Sequence, residues 1–270
     1  MKCCALCGKE ADLVKSHIIP KLVYRRISGH EKSRFRSLDN FKKPMQDGEK
    51  RPMLCHECEE LFSSYENKFA LQFFDNYLNT NKIKHKPSGL VENYFLTVAW
   101  RILWDDLYRL NSRSDHFAKD IFDCFCAELG DYLLSIGNNN DNYPPKKFKT
   151  YVYKLDSLIK DKAINELAKG TLFGYSFFHT RSNSISVIVY YAGLVFVTYY
   201  NYDKRKYMII GQKPIIFKSL ARRKEIIDEL KTRFCEMASQ YKKVMTPELQ
   251  QTIQELSLIH ISEPTRPISI

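Results

Sequence analysis

The sequence lacks several patterns that would assign it to a functional class at once. It has no internal repeat, no glycine-rich nucleotide-binding loop and no apolar run long enough to cross a membrane. The longest such run, residues 185–200, is interrupted by Ala192 and Gly193. The N-terminus, Met-Lys-Cys-Cys-Ala-Leu-Cys, has no apolar core of a secretory leader. We therefore expect a cytoplasmic protein with reduced cysteines and no membrane partner.

Acidic residues are also in short supply. The 270 residues include 31 Asp and Glu against 42 Lys and Arg, which gives a formal net charge of +11. This balance favours a polyanionic partner, although a merely soluble basic protein has the same balance. Apolar residues make up 44% and aromatic residues 13%, which excludes wholesale disorder and allows one large core or two modest ones.

The last fifteen residues, 256–270, differ in character from the rest of the chain. They resemble the translation of a transposase sequencing adapter. We leave them out of the reasoning on fold and function, as for any appended segment. The natural C-terminus is then expected to be missing from this sequence.

What the sequence does contain is a pair of Cys-x-x-Cys motifs. Cys4 and Cys7 form the first, and Cys55 and Cys58 form the second, 47 residues further on. Two such pairs supply the four thiolates of a tetrahedral structural zinc site. In a reduced chain this spacing favours zinc over disulfides, and no βαβ pattern supports a thioredoxin-like redox motif. Cys3 could compete with Cys4, whereas Cys124, Cys126 and Cys235 lie in apolar patterns typical of a core.

The periodicity of apolar residues predicts an α+β fold. A short strand is expected over residues 14–19, ending at Pro20, and a helix from Cys55 to about Asn79. Residues 88–137 follow the 3.6-residue period of helices. Beyond an Asn-rich and Pro-rich boundary the period becomes two, which predicts a mostly antiparallel sheet followed by an amphipathic helix. The expected strands are residues 148–155, 173–180, 184–191, 194–201 and 207–210.

These patterns suggest a division of the chain into four segments. Residues 1–80 would form a zinc-stapled domain, which relies on the metal because a segment of this size buries little core. Residues 88–137 would form a helical region and residues 146–245 an α+β domain of unknown role. Residues 256–270 are the adapter-like tail.

A basic, turn-rich region lies between the two cysteine pairs. Its cations are interleaved with Phe35 and Phe41, a mixture suited to phosphate contacts with occasional base stacking. A solvated surface loop would have the same composition. The cations that we single out as candidate nucleic-acid contacts are Arg25, Arg26, Arg34, Arg36, Lys42, Lys43 and Arg51.

Taken together, Cys-x-x-Cys-Gly, then Ser16-His17-Ile-Ile-Pro, then Leu-Cys-x-x-Cys resembles the HNH nucleases over about residues 3–70. That family has a ββα-metal, treble-clef-like fold that pairs a zinc staple with one catalytic divalent ion. The resemblance implies a metal-dependent endonuclease acting on DNA, in phage defence or a mobile element, with Mg²⁺ or Mn²⁺ as its second cofactor.

The resemblance also assigns roles to individual residues. His17 falls on the general base that activates water against a phosphodiester. Ser16 stands where a metal-binding Asp or His is usual, and Glu59 stands where the closing His is usual. Glu59 and Glu66, two helical turns apart, are the candidate ligands of the catalytic metal. The alternatives are a structural role for His17 and a helix-dipole role for Glu59.

Two further functions remain open on sequence alone. A noncatalytic zinc module would bind nucleic acid with a salt-sensitive affinity but without cleavage. An interaction protein would use residues 146–245 to sense a partner or small ligand.

Overall fold

The structure is a computed structural model. It describes residues 2–31, 35–36, 44–45, 47–83, 88–110, 119–138, 140–145, 147–169, 171–179, 184–201, 223–244 and 247. Several sequence predictions lie outside these residues: the strand at 207–210, the adapter-like tail at 256–270, and the candidate contacts Arg34, Lys42 and Lys43.

Short antiparallel pairs and one helix build the N-terminal segment. Strand β1 (Lys2–Cys3) pairs with β2 (Glu10–Ala11), and β3 (Val14–His17) pairs with β6 (Lys50–Leu54). Helix α1 (Lys21–Glu31) begins just after Pro20, which cannot continue a strand ladder. Between α1 and β6, β4 (Phe35–Arg36) pairs with β5 (Pro44–Met45).

Four helical segments and a π turn form the middle of the chain. Helix α2 (His56–Phe69) runs through a π-helical turn (Ala70–Phe74) into α3 (Asp75–Thr80). It stops at Asn81, whose left-handed conformation (φ 50°) ends the helix. Helices α4 (Gly89–Leu110) and α5 (Lys119–Ile136) follow and pack against each other.

In the described residues of the C-terminal part, a four-stranded antiparallel sheet packs with three helices. Its strands are β7 (Lys149–Lys154), β8 (Leu172–His179), β9 (Ser184–Tyr191) and β10 (Leu194–Asn201), in the order β7-β10-β9-β8. Helices α6 (Leu155–Leu158) and α7 (Lys162–Ala168) connect β7 to β8. Helix α8 (Arg223–Val244) covers one face of the sheet with Ile226, Leu230, Phe234 and Met237.

One continuous cluster of buried side chains joins these parts. It runs from Cys4 and Leu6, through Phe62 of α2 and Trp100 of α4, to Val187 on the sheet face opposite α8. Because the sheet is covered on both faces, every residue of β9 is buried. Helix α4 lies between the N-terminal segment and the sheet and contacts both.

The predicted α+β fold class is confirmed. Ala192 and Gly193 form the turn between β9 and β10, and both have a positive φ (51° and 77°), as a tight two-residue hairpin requires. One local prediction was wrong, because Arg25 and Arg26 lie in α1 and not in a loop. The short helices α6 and α7 were not predicted.

Candidate metal centre and the His17 face

The four cysteines of the two motifs meet at one point. The Sγ atoms of Cys4, Cys7, Cys55 and Cys58 all lie within 4.8 Å of one another. The loop from Cys4 to Gly8 closes through a hydrogen bond from the Gly8 N–H to the Cys4 carbonyl, with Gly8 at a φ of 72°. Cys55 precedes the first turn of α2 and Cys58 lies within that turn. A left-handed glycine turn and a helix start therefore bring the two pairs together.

The geometry of this cluster fits a zinc ion. Zinc bound to four thiolates at about 2.3 Å separates neighbouring sulfur atoms by about 3.8 Å. The Sγ atoms of Cys7 and Cys55 are 3.8 Å apart, which is too far for a disulfide, and all eight cysteines are free. Zinc held here would join the N-terminal loop to the start of α2.

The protein environment favours the thiolate of Cys4 and opposes those of Cys7 and Cys58. Burial by itself would raise the pKa of Cys4, but backbone N–H groups directed at its sulfur hold that pKa at about 7. One of these is the Cys55 N–H, 3.3 Å from the Cys4 Sγ. Burial raises the pKa of Cys7 and Cys58. A cation is therefore needed for all four sulfurs to ionise together.

Strands β3 and β6 form an antiparallel pair, which we call the β3–β6 hairpin although α1, β4 and β5 lie between the two strands in the chain. Its two faces differ chemically. Ser16 pairs with Arg51, and His17 pairs with Lys50. Because side chains alternate along a strand, Ser16 and Arg51 lie on one face and His17 and Lys50 on the other. Ser16 is fully buried on the face toward α2, whereas Lys15 is exposed on the same face as His17. His17 and Glu59 are therefore on opposite sides of the hairpin.

His17 faces Asp47, which was not among the predicted site residues. Its Nε2 atom lies 3.3 Å from Asp47 Oδ2, within ion-pair distance but without hydrogen-bond geometry. Asp47 Oδ2 is also 2.8 Å from Lys50 Nζ and 3.6 Å from Lys21 Nζ. The Lys50 ammonium holds the pKa of Asp47 below its usual range, and burial lowers the pKa of His17. The neutral imidazole is thus favoured near pH 7.

The two predicted metal-binding glutamates contact a buried arginine of α4. Arg101 Nη1 donates to Glu66 Oε1 at 2.8 Å, and Arg101 Nη2 lies 3.6 Å from Glu59 Oε1. The other oxygen of Glu59 accepts a hydrogen bond from Ser16 Oγ at 2.7 Å. Burial raises the pKa of Glu66, and Arg101 opposes this effect.

These residues do not fit a catalytic divalent ion. Mg²⁺ requires several oxygen ligands at about 2.1 Å and retains water molecules around it. Both glutamates are already engaged by Arg101, and the guanidinium is only 1% exposed. Among the residues that the structure describes, the four cysteines are the one cluster of three or more side chains suited to a metal. In this arrangement the Glu59 and Glu66 carboxylates are not available to a divalent ion.

The candidate nucleic-acid contacts have different surroundings. Arg26 forms a bidentate ion pair with Asp75, at 2.6 and 3.1 Å. Arg51 Nε donates to Asp105 Oδ1 at 2.8 Å on the buried side of the hairpin. Arg25 is exposed and has no ion-pair partner among the described residues. Arg36 lies in β4.

Comparisons of this chain with protein-family models, with curated proteins and with solved structures gave no match. The resemblance to HNH nucleases therefore rests on the sequence motifs around the four cysteines and His17. Within the described part of the chain, no helix has the length and apolar character needed to span a membrane.

Three residues of this region were not among the predicted site residues. Asp47 and Lys50 approach His17 only because β6 pairs with β3. Arg101 lies in an apolar helical pattern, 35 residues from Glu66, and reaches it only when α4 packs on α2. A charged residue within an otherwise apolar helical pattern is the one signal that could have identified Arg101.

Proposed function

We propose that this chain is a zinc-containing nucleic-acid-binding protein that contacts the phosphate backbone of DNA through the outer face of its β3–β6 hairpin. The observation that carries the proposal is the group of cations around His17. Lys15 and Lys50 lie on the outer face of the hairpin, and Lys21 and Arg25, one turn apart on α1, continue it. We call these four residues the basic face.

The charges of the basic face suit a polyanion. Asp47 contacts Lys21 and Lys50 but neutralises only one of the four cations. Phosphate contacts of this kind release condensed counterions, so the affinity falls steeply as salt is added. The surplus of 11 positive charges over the whole chain adds long-range attraction for the same partner.

The experiment is a titration of a fluorescent DNA duplex with zinc-loaded protein, measured by anisotropy at several salt concentrations. We expect Lys15→Ala with Arg25→Ala to weaken binding at least tenfold at low salt. The slope of log affinity against log salt should fall by roughly 2, because two phosphate contacts are lost.

A matched control removes the same charge elsewhere. Lys224 and Lys231 are exposed on α8, on the far side of the sheet from α4. Their double replacement by Ala should leave the affinity and the salt slope nearly unchanged. An equal loss in both double variants would mean that only net charge matters, and the basic face would then not be a binding site.

A second candidate function is DNA endonuclease activity. It is favoured by the order β3, β6, α2, with His17 at the end of β3 and the Asp47 carboxylate 3.3 Å from its imidazole. A carboxylate beside an imidazole can orient it and stabilise the imidazolium that forms when it takes a proton from water. The resemblance stated above would then extend to activity, with a Mg²⁺ or Mn²⁺ cofactor held elsewhere than at Glu59 and Glu66.

Plasmid nicking separates the two functions. Incubation with Mg²⁺ or Mn²⁺ should leave the plasmid intact if the protein only binds DNA. Cleavage by the wild type that is abolished in His17→Ala and Asp47→Asn would establish the endonuclease. Equal cleavage by wild type and His17→Ala would indicate a contaminating nuclease and not activity at this site.

A further inference from the structure

Arg101 is the most deeply buried cation next to the HNH-like hairpin. Its guanidinium is 1% exposed and lies between two carboxylates of α2, Glu59 and Glu66. It also stacks over the Phe62 ring, with Cζ 4.9 Å from the centroid. Its Nε atom is buried and has no acceptor among the described residues. A charged side chain in such a position requires compensation by the groups around it.

The two glutamates both face the Arg101 guanidinium from the same side of α2. They are seven residues apart, which is two helical turns, so they lie on the same face of α2. Their negative charges repel each other, and Ser16 donates to the outer one, Glu59. Such a pair at low solvent exposure needs a cation, whether a guanidinium, a metal ion or protons.

We propose that Arg101 is the resident cation of the Glu59–Glu66 pair, and that its guanidinium excludes a hard divalent ion from these carboxylates. The native protein then takes zinc at its four cysteines and no second metal at the hairpin. Removal of the guanidinium turns the pair into a site for Mn²⁺ or Mg²⁺, because carboxylate oxygens are the ligands that these ions prefer. This inference does not depend on whether the chain binds nucleic acid.

The test is a titration of zinc-loaded protein with Mn²⁺, in which electron paramagnetic resonance measures free manganese. We expect no stoichiometric Mn²⁺ binding by the wild type and one additional bound Mn²⁺ per chain in Arg101→Ala. Arg101→Lys keeps a cation at the same place and should behave like the wild type. The double variant Arg101→Ala with Glu66→Gln should lose the new site.

The outcome is decisive even if Arg101→Ala folds poorly. Because a ligand that binds only the native state stabilises it, Mn²⁺ should raise the thermal midpoint of this variant and leave that of the wild type unchanged. A variant that is unfolded alone and folds when Mn²⁺ is added also supports the inference. A variant that binds no Mn²⁺ when folded, or stays unfolded when Mn²⁺ is added, overturns it. Wild-type binding of Mn²⁺ that Glu59→Gln or Glu66→Gln abolishes overturns it as well.

Discussion

The adjacent residues Ser16 and His17 of β3 lie on opposite faces of the β3–β6 hairpin. Ser16 is buried and donates to Glu59, whereas His17 lies on the outer face beside Asp47. A shift of the β3–β6 register by one residue would exchange these positions, placing an imidazole against the glutamates and a serine among the lysines. Gly48, just before β6, has a φ of 74°, a conformation that suits glycine.

The four-cysteine cluster can be tested by replacing one of its sulfur ligands. Cys58→Ser replaces a buried ligand with a hydroxyl that binds zinc poorly, so the bound zinc should fall from one per chain to none. Atomic absorption after dialysis measures it, and the free energy of unfolding should fall by several kcal/mol, since structural zinc contributes directly to folding. Cys3→Ser is the control, because Cys3 is exposed and outside the cluster. Loss of zinc in Cys3→Ser would show that Cys3 is a ligand.

The Asp106 carboxyl on α4 is expected to make the stability of the protein depend on pH. Asp106 accepts hydrogen bonds from the backbone N–H and the hydroxyl of Ser176 on β8, and burial raises its pKa to about 6. In the unfolded chain this carboxyl has a pKa near 3.9. Between about pH 4 and pH 6 the folded state therefore binds more protons than the unfolded state. The stabilisation is therefore complete below about pH 4 and is lost as the pH rises through about 6.

Asp106→Asn removes the charge and keeps an acceptor for Ser176. Its stability should match that of the wild type at about pH 4 and exceed it by about 1–3 kcal/mol at pH 7.5. Urea unfolding at both pH values measures the difference. Asp228→Asn, on the exposed surface of α8, should show no such change with pH. A gap for Asp106→Asn that is equal at both pH values would contradict the assignment.

At the scale of elements, α4 is held to its neighbours by charged contacts as well as by apolar packing. Arg101 forms an ion pair with Glu66 of α2. Asp105 forms ion pairs with Arg51 of β6 and with Arg109 of its own helix, both at 2.8 Å. Arg109 also contacts Glu49 at 2.6 Å, which closes a ring of four charges. On its opposite side α4 packs against the sheet, where Ile102 leaves no space for a side chain at Gly174 of β8.

The ring of charges predicts that Arg51 is a structural residue. Arg51→Ala leaves the Asp105 carboxylate, only 5% exposed, with Arg109 as its remaining partner in the ring. We expect a loss of about 1–3 kcal/mol in the free energy of unfolding, because a buried charge loses a hydrogen bond. Denaturant unfolding of Arg25→Ala, an exposed arginine without an ion-pair partner in the described part of the chain, should differ from the wild type by less than about 0.5 kcal/mol. Equal losses in both variants would rule out a special role for the ring.

Local periodicity predicted most elements because it reports which face of an element is buried. Strands β9 and β10 begin and end at the predicted residues, and α2 to α3 cover the predicted helix. Helix α1 was missed because Ser28-Gly29 and its charges outweighed the buried Val23 and Ile27. The partner of Glu59 and Glu66 could not be predicted, since Arg101 reaches them through tertiary packing, which has no local signature.

At the scale of the whole molecule, the N-terminal segment and the sheet share side-chain contacts. The hydroxyl of Tyr77, in α3, donates to the Ala192 carbonyl in the β9–β10 turn at 2.9 Å. Tyr94 of α4 and Tyr191 of β9 are joined by their hydroxyls at 3.2 Å, and Phe74 packs edge-on against Tyr191. The division into segments 1–80, 88–137 and 146–245 stays a prediction, and these contacts favour cooperative unfolding across it.

Because one buried cluster joins the three parts, we expect them to unfold together. Both tryptophans, Trp100 and Trp104, lie on α4, so their fluorescence reports on the helix between the zinc-binding segment and the sheet. Far-UV circular dichroism reports on the whole backbone. We expect the two signals to follow a single urea transition in zinc-loaded protein. A strong chelator should move both to lower urea together, because zinc loss weakens a core that all three parts share. Cys58→Ser, which lacks the metal, should not respond to the chelator. A fluorescence transition that shifts on chelation while the circular dichroism transition stays in place would instead show that the chain does not unfold as one unit.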